Sequence, residues 1–327
     1  MLSVLHETIQ LTEAGGKLVT YILDASDQIQ IGKKHPFVII CPGGAYLRTS
    51  DQEAEQVALR FAALGCHAAV LRYSCGADIL KGVKKGGLPN PLQEIGRAIA
   101  LCRDNAEKWN VDPNRIIVNG YSAGGHLCAL ACTQYGTIAQ SIGRQPNEIR
   151  PNAAILGYPC IDLLADMLPC PINGFTVGEI DPADPGASVY PLFKPAFKMV
   201  DGQPRMDFRQ AMLRVFFGTD TPEEAELREY SPNLHVSSNT PPTFVWATAN
   251  DDLVPASNAL KYVHALWEHR VPCEFHMFGD GHHGLSLADE TVADSADMVN
   301  PEVARWFGLA KAWLKHNGLI ESGSMIG

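Results

Sequence analysis

Short apolar runs that recur along the chain place the strongest constraint on its fold. They occupy residues 17–23, 36–41, 67–73, 115–120, 153–158, 243–249 and 273–278. Several of them are continuously apolar rather than alternating, which is typical of strands that are covered on both faces. Helical patterns lie between them, at residues 54–64, 89–110, 255–269 and 301–314. This alternation predicts an α/β fold with a mostly parallel central sheet and helices on both faces.

One segment, from about residue 159 to 212, breaks the alternation of strands and helices. It is rich in Pro and Gly, and its apolar residues follow no sustained period. A long irregular insertion inside a compact fold is more often a lid or a binding loop than a linker. We therefore predict one α/β domain over residues 1–327, with a lid-like or binding-loop insertion at about 159–212.

Composition and charge exclude several classes of protein. The formal net charge is −10, and no basic run exceeds the Lys84-Lys85 pair, so nucleic acid is not an expected partner. No window approaches eighteen uninterrupted apolar residues, and the first residues carry Glu and His too early for a secretory signal. The 9 cysteines are an odd number without a Cys-x-x-Cys pair, which favours free thiols. We expect a cytoplasmic protein that does not contact membranes.

The segment "RIIVNGYSAGGHLCALA", residues 115–131, carries the first chemical signal. It contains Gly120-Tyr121-Ser122-Ala123-Gly124, a G-x-S-x-G pattern, between a predicted strand and a helix of small residues. A nucleophile on such a sharp turn needs nearly bare positions two residues before and two residues after it. The context therefore indicates that Ser122 is a nucleophile.

A serine nucleophile needs a base and a carboxylate that orients the base. In this fold the acid follows the serine in the chain and the base follows the acid. Asp251 and Asp252 come just after one late predicted strand, and His282 and His283 come just after the next. The residues alone leave both choices open, and one member of each pair is expected to be a solvated or loop-bracing neighbour.

His126 is a third histidine near the nucleophile, in the helix that follows Ser122. A residue four positions after the serine on one helix lies behind it rather than beside its hydroxyl group. We expect His126 to have a structural role.

The oxyanion formed in acyl transfer needs backbone N–H donors. One is the residue after the nucleophile, Ala123, and the others are expected from a tight glycine-rich loop after an early strand. Residues 42–46, Pro-Gly-Gly-Ala-Tyr, supply such a loop after the run at 36–41. Tyr46 and Tyr121, which adjoin the loop and the serine, are candidates for lining the substrate pocket.

Four segments, "CPGGAY", "GYSAGGHL", "DDLVP" and "GHHGL", resemble the α/β-hydrolase superfamily. The resemblance covers about residues 36–316 and is strongest to the esterase/lipase branch with acetyl-xylan-esterase-like carbohydrate ester hydrolases. In that branch the acid stands in a D-x-x-V-P setting and the base precedes a glycine. The resemblance thus implies that Asp251 is the acid and His283 the base, and that Gly44 and Ala45 are oxyanion donors.

The expected function is a serine carboxylesterase acting on small-molecule, short-chain acyl esters, including O-acetyl groups on carbohydrates. The expected mechanism needs neither a metal nor an organic cofactor. Two alternatives stay open: a serine peptidase for small peptides, and a catalytically silent hydrolase fold used for binding. The sequence does not decide the oligomeric state.

Overall fold

The computed structural model describes residues 4–24, 32, 34–76, 87–165, 170–171, 197–200, 203–219 and 221–321. The strands of the main sheet are β1 (Val4–Gln10), β2 (Lys17–Leu23), β3 (His35–Cys41), β4 (His67–Arg72), β5 (Val111–Tyr121), β6 (Ala153–Gly157), β10 (Thr243–Thr248) and β11 (Cys273–Phe278). A small second sheet contains β7 (Cys170–Pro171), β8 (Phe197–Val200) and β9 (Gln203–Met206). The helices are α1 (Glu55–Ala62), α2 (Asn90–Asp104), α3 (Ser122–Thr133), α4 (Tyr135–Ser141), α5 (Pro146–Ile149), α6 (Phe208–Phe217), α7 (Glu224–Glu229), α8 (Ser257–Glu268) and α9 (Pro301–His316).

The main sheet has the strand order β1-β2-β4-β3-β5-β6-β10-β11. β1 and β2 are antiparallel to their neighbours, and every other pairing in this sheet is parallel. The predicted α/β class with a mostly parallel sheet is therefore confirmed. β1 was not predicted, because it is an edge strand whose side chains are almost all exposed and it carries no apolar run.

The part of the predicted insertion that the structure describes includes the small antiparallel sheet, in the order β7-β9-β8. Helix α6 begins at Phe208, still inside the predicted range of 159–212. Residues 166–169 and 172–196, which make up most of the insertion, lie outside the described residues.

Alternation along the central strands builds a separate core on each face of the sheet. In β3, Phe37 and Ile39 belong to one core, whereas Val38 and Ile40 belong to the other. Helices α2, α3 and α8 supply buried residues to the first core, and α1 and α9 supply them to the second. The sheet is therefore covered on both faces, as its continuous apolar strands require.

Parallel strands bring their carboxyl ends to one edge of the sheet, where ligand sites of such folds form. The loops that follow β3, β5, β10 and β11 all leave from this edge. These loops carry the oxyanion segment, Ser122, the two aspartates and the two histidines that the sequence singled out.

A buried carboxylate in α2 holds the antiparallel edge of the sheet against the parallel part. Glu94 accepts hydrogen bonds from the backbone N–H groups of Gly16 at 3.2 Å and Ser74 at 2.7 Å. The Thr12 and Ser74 hydroxyl groups also donate to it, at 2.6 and 2.5 Å. Every carboxylate oxygen thus has a partner, which offsets the cost of burying the charge.

Replacing Glu94 by Ala leaves these buried donors without an acceptor, and each such group costs about 1–3 kcal/mol. We expect Glu94→Ala to lower the free energy of unfolding by about 3 kcal/mol or more, measured by urea denaturation. Glu107→Ala is the matched control, because that side chain is 89% exposed. It should change the free energy by no more than about 0.5 kcal/mol. Equal stability of the two variants would contradict the anchoring role of Glu94.

Candidate active site

Ser122 lies at the junction of β5 and α3, in a backbone conformation that is rare for a residue with a side chain. Its φ is 50°, in the left-handed region. The flanking glycines permit this turn: a Cβ at Gly120 would lie 2.3 Å from the Gly124 carbonyl oxygen, and a Cβ at Gly124 would lie 2.0 Å from the Cys41 carbonyl oxygen. The turn therefore tolerates no side chain at either position, which is the reason for the G-x-S-x-G spacing.

Ser122, His283 and Asp251 form one chain of hydrogen bonds. The Ser122 Oγ lies 2.8 Å from His283 Nε2, and His283 Nδ1 lies 2.8 Å from Asp251 Oδ2. The other oxygen of Asp251 accepts the backbone N–H groups of Leu253 at 2.9 Å and Val254 at 2.8 Å. Because a carboxylate only accepts, His283 Nδ1 donates to Asp251 and its Nε2 is left to accept the serine proton.

Asp252 and His282, the other members of the two ambiguous pairs, hold the loop of His283 in place. Asp252 Oδ1 accepts the backbone N–H of His283 at 2.9 Å. His282 Nδ1 donates to the His283 carbonyl oxygen at 2.8 Å. The geometry thus brings Asp251 and His283 to Ser122, and it places Asp252 and His282 as loop-bracing neighbours.

His126 is buried and bonded away from Ser122. Its Nε2 lies 2.7 Å from the Tyr230 carbonyl oxygen, which makes Nε2 the protonated nitrogen, and its Nδ1 accepts the Tyr46 hydroxyl at 2.9 Å. Burial lowers the pKa of His126 to about 4, although the bond to Tyr230 opposes the shift. His126 is a neutral structural group, in line with the expectation from its position.

The electrostatic surroundings of His283 favour its protonated form. Burial lowers the pKa of His283, but the Asp251 carboxylate raises it through its charge and its hydrogen bond, and Glu53 and Asp252 raise it further. The net shift is upward from the ordinary value of about 6.5. His283 is therefore a stronger proton acceptor than a free imidazole.

The glycine-rich loop after β3 turns sharply beside the serine. Gly44, Ala45 and Tyr46 have consecutive positive φ values of 121°, 54° and 58°. The loop also packs directly on Ser122, since a Cβ at Gly43 would lie 2.9 Å from the Ser122 Cβ. This close approach brings backbone N–H groups next to the serine.

Only some of those N–H groups are available to a ligand. The Gly43 N–H donates to Glu53 Oε2 at 2.6 Å and is therefore occupied. Within the described part of the chain, no group accepts a hydrogen bond from the N–H of Gly44, Ala45 or Ala123. The three predicted oxyanion donors are thus unpaired and lie on the two segments that meet at Ser122.

Tyr46 and Tyr121 do not line an open pocket, so that prediction is wrong. Both side chains are fully buried. Tyr46 packs on Phe216 and bonds to His126. Tyr121 is the last residue of β5, and strand alternation turns its side chain to the opposite core, where its hydroxyl donates to Asn119 Oδ1 at 3.1 Å.

Two residues of the site carried no motif in the sequence. Glu53 lies in the turn before α1, and Tyr158 follows β6. The Tyr158 hydroxyl donates to Glu53 Oε1 at 2.6 Å, and the Tyr158 ring packs edge-on against His283 with ring centroids 4.9 Å apart. The position of Tyr158, a polar side chain at the carboxyl end of a parallel strand, is the one signal that points to it.

Among the residues that the structure describes, no group of three or more His, Cys, Asp or Glu side chains is placed to hold a metal ion. In the same ranges, no helix combines the length and the apolar character needed to cross a bilayer.

Comparison with known proteins identifies the class. Residues 23–169 match the family BD-FAE, and residues 195–300 match the Prolyl oligopeptidase family. The crystal structure of the carboxylesterase Cest-2923 from Lactobacillus plantarum superposes with a TM-score of 0.73 and 28% identity, covering 98% of this chain and 100% of that one. The acetyl ester-xyloside bifunctional hydrolase from Caldicellulosiruptor lactoaceticus gives a TM-score of 0.68 and 31% identity, covering 95% and 91%.

The acetylxylan esterase of Xylanibacter ruminicola is 24% identical over 66% of this chain and 35% of that protein. The chain spans about half or less of the length of the curated relatives that it matches. It belongs to the α/β-hydrolase superfamily. Within that superfamily it is a member of the esterase branch that resembles acetylxylan esterases.

The geometry predicts a single activated serine. A fluorophosphonate probe should label the native protein at Ser122, because only a serine with a bonded base and nearby oxyanion donors reacts readily. Peptide mapping by mass spectrometry checks the position. Ser141→Ala is the matched control and should keep full labelling, since the Ser141 hydroxyl only donates to the Ile138 carbonyl oxygen. Labelling that survives Ser122→Ala would contradict the assignment.

The two adjacent aspartates should differ sharply in their effect on turnover. Asp251→Asn removes the acceptor that fixes the His283 tautomer, and we expect kcat to fall by about 10³–10⁴-fold. Asp252→Asn leaves the tautomer of His283 fixed and changes only a brace of the loop and the smallest of the charge effects given for the pKa of His283, so it should cost far less. Initial rates on a p-nitrophenyl ester compare the variants, with circular dichroism as the check that both are folded. Similar losses in two folded variants would rule out the choice of Asp251.

Proposed function

We propose that the chain hydrolyses short-chain acyl esters, including O-acetyl groups on carbohydrates, through an acyl-enzyme on Ser122. The observation that carries the proposal is the hydrogen-bonded chain from Ser122 Oγ through His283 to Asp251, with both distances at 2.8 Å. This arrangement lies beside three unpaired backbone donors. Together these groups supply a nucleophile, a base and an anion-binding position, which are the requirements of acyl transfer.

The first half-reaction forms the acyl-enzyme. The Ser122 Oγ attacks the carbonyl carbon of the ester while His283 Nε2 takes the hydroxyl proton. The carbonyl oxygen becomes negative and accepts hydrogen bonds from the N–H groups of Gly44, Ala45 and Ala123. Collapse of the tetrahedral intermediate breaks the bond to the alcohol oxygen, and that oxygen leaves with the proton from His283.

The second half-reaction returns the serine. His283 Nε2 removes a proton from a water molecule, whose oxygen attacks the acyl carbon. The same backbone donors hold the second oxyanion, and its collapse releases the carboxylic acid while the proton passes back to the Ser122 Oγ. Asp251 keeps its charge throughout and stabilises the imidazolium that forms in both steps.

Two observations of different kinds support the proposed substrate class. Relatives of this chain are named as an acetylxylan esterase and as an acetyl ester-xyloside hydrolase. The sequence of the insertion at 159–212 is rich in Pro and Gly and has no amphipathic helical pattern of the sort that covers a lipase site. Both favour a short acyl pocket over a surface for long chains.

A peptidase is the second candidate, because residues 195–300 match the Prolyl oligopeptidase family. That segment contains Asp251 and His283 but not Ser122, whereas the match to BD-FAE contains Ser122 and the oxyanion loop. Two solved structures that this chain resembles are named as a carboxylesterase and as an acetyl ester-xyloside bifunctional hydrolase. A catalytically silent role is disfavoured, because the complete hydrogen-bonded chain at Ser122 has no structural need to persist.

Acetyl and propionyl esters should be hydrolysed with much higher kcat/KM than octanoyl and longer esters. Each methylene that a pocket accepts contributes only about 1 kcal/mol, so a short pocket gives a plateau and then a drop along the series. A panel of p-nitrophenyl esters from C2 to C12, acetylated xylose and a dipeptide p-nitroanilide distinguishes the candidates. A steady rise of kcat/KM to C12 would identify a lipase, and preferred cleavage of the anilide would identify a peptidase.

A further inference from the structure

Glu53 is a buried acidic side chain next to the site that the hydrolytic steps do not use. Only 4% of the residue is exposed. Its Oε2 accepts the Gly43 N–H at 2.6 Å, and its Oε1 accepts the Tyr158 hydroxyl at 2.6 Å. Among the described residues it forms no ion pair. A buried carboxylate without a cationic partner is costly, so its retention requires an explanation.

The hydrogen bonds around Glu53 determine its charge state. The Gly43 N–H is only a donor. The Tyr158 hydroxyl oxygen already accepts the Ser286 N–H at 2.9 Å, so the hydroxyl proton is directed to Glu53. Both carboxyl oxygens are therefore acceptors, and no acceptor is left for a proton on Glu53. The network fits the ionised carboxylate.

Glu53 joins the two loops that meet at the serine. Gly43 directly precedes Gly44 and Ala45, whose N–H groups are the oxyanion donors in the proposed mechanism. Tyr158 contacts the His283 ring at 4.9 Å between centroids, with an angle of 67° between the ring planes. Glu53 thus holds the glycine loop through Oε2, and through Oε1 it holds the tyrosine that packs on His283.

We propose that Glu53 is a positioning residue for ester hydrolysis. Its carboxylate holds the Gly43–Ala45 loop and the Tyr158–His283 contact in register, and it supplies a second buried negative charge to the imidazolium that forms on His283. This inference rests on the proposed function and deepens it.

The charged and titratable groups around Glu53 and His283 define the expected effect of pH on activity. His283 is faced by Asp251, Asp252 and Glu53, and all three carboxylates raise its pKa. Glu53 is linked by charge or hydrogen-bond effects on pKa values to His283, Arg48, Tyr73, Tyr121 and Tyr158. Burial raises the pKa of Glu53, and the hydrogen bonds from Tyr158 and Gly43 and the charges of His283 and Arg48 oppose the rise.

Removing the charge of Glu53 should shift the pH profile of kcat/KM in one definite direction. His283 acts as a base only when neutral, so kcat/KM falls as pH drops through its pKa. Glu53→Gln keeps the size of the side chain, removes the negative charge and therefore lowers the pKa of His283. The acidic limb of the profile should move to lower pH. An amide has an oxygen at only one of the two carboxylate positions and an NH2 donor at the other, so either Gly43 or Tyr158 loses its acceptor. The site loses one anchor, and kcat/KM at the optimum should fall by about 10–100-fold, mainly in kcat.

The test compares pH profiles of Glu53→Gln and wild type in two readouts. One is kcat/KM on p-nitrophenyl acetate, and the other is the rate constant of fluorophosphonate labelling at Ser122, which needs no knowledge of the substrate. Glu94→Gln is the matched control, because Glu94 is also a buried carboxylate but its hydrogen-bond partners within the described ranges are Thr12, Gly16 and Ser74. It should lower stability and leave the acidic limb where it is in wild type.

Tyr158→Phe gives a second, independent measurement. It removes the donor to Oε1 and leaves the carboxylate charge in place, so kcat should fall while the acidic limb stays near the wild-type position. An unchanged acidic limb in folded Glu53→Gln overturns the inference. If Glu53→Gln does not fold, wild-type kcat in Tyr158→Phe overturns it. If the probe labels the wild-type protein but no ester is hydrolysed, the proposed function is overturned instead. The pH profiles of labelling at Ser122 then still decide the role of Glu53.

Discussion

The contact between the start of α3 and the end of β3 is the constraint on which the rest of the site depends. The Gly124 backbone packs so closely on the Cys41 carbonyl oxygen that a Cβ would lie 2.0 Å from it. This contact fixes the turn that forces Ser122 to a φ of 50° and presses the glycine loop after β3 against the serine. A larger residue at Gly124 would separate Ser122 from the N–H groups of Gly44 and Ala45 even if the side chains of Ser122, His283 and Asp251 were all kept.

Sheet topology explains why a tyrosine joins the site. β6 lies between β5, which ends at the serine, and β10 and β11, which lead to Asp251 and His283. The loop after β6 therefore starts in the gap between the strand that ends at Ser122 and the strands that lead to Asp251 and His283. Tyr158 fills that gap: its ring packs on His283 and its hydroxyl reaches Glu53 across the edge of the sheet. β6 leads to no member of the hydrogen-bonded chain of Ser122, His283 and Asp251, but it leads to the tyrosine whose ring packs on His283.

Local sequence patterns predicted the elements and the motif residues, because strand runs, helical stripes and bare turn positions are written in neighbouring residues. The choice of Asp251 over Asp252 needed a family resemblance, since both aspartates occupy equivalent loop positions. Tyr46 and Tyr121 were misplaced because adjacency in sequence does not say to which face a side chain turns. Glu53 gave no signal, since its partners Gly43 and Tyr158 are 10 and 105 residues away and meet it only in the folded sheet.

His283 and His126 show how the surroundings give one residue type different properties. Burial lowers the pKa of both. The two ring nitrogens of His126 bond to a hydroxyl and a carbonyl oxygen, neither of which is charged, so burial dominates and lowers its pKa to about 4. His283 meets the charges of Asp251, Glu53 and Asp252, and these reverse the shift. In the proposed mechanism acyl transfer passes through an imidazolium on His283, and the three carboxylates around it favour that charged form. The neutral His126 fixes Tyr46 next to the oxyanion loop.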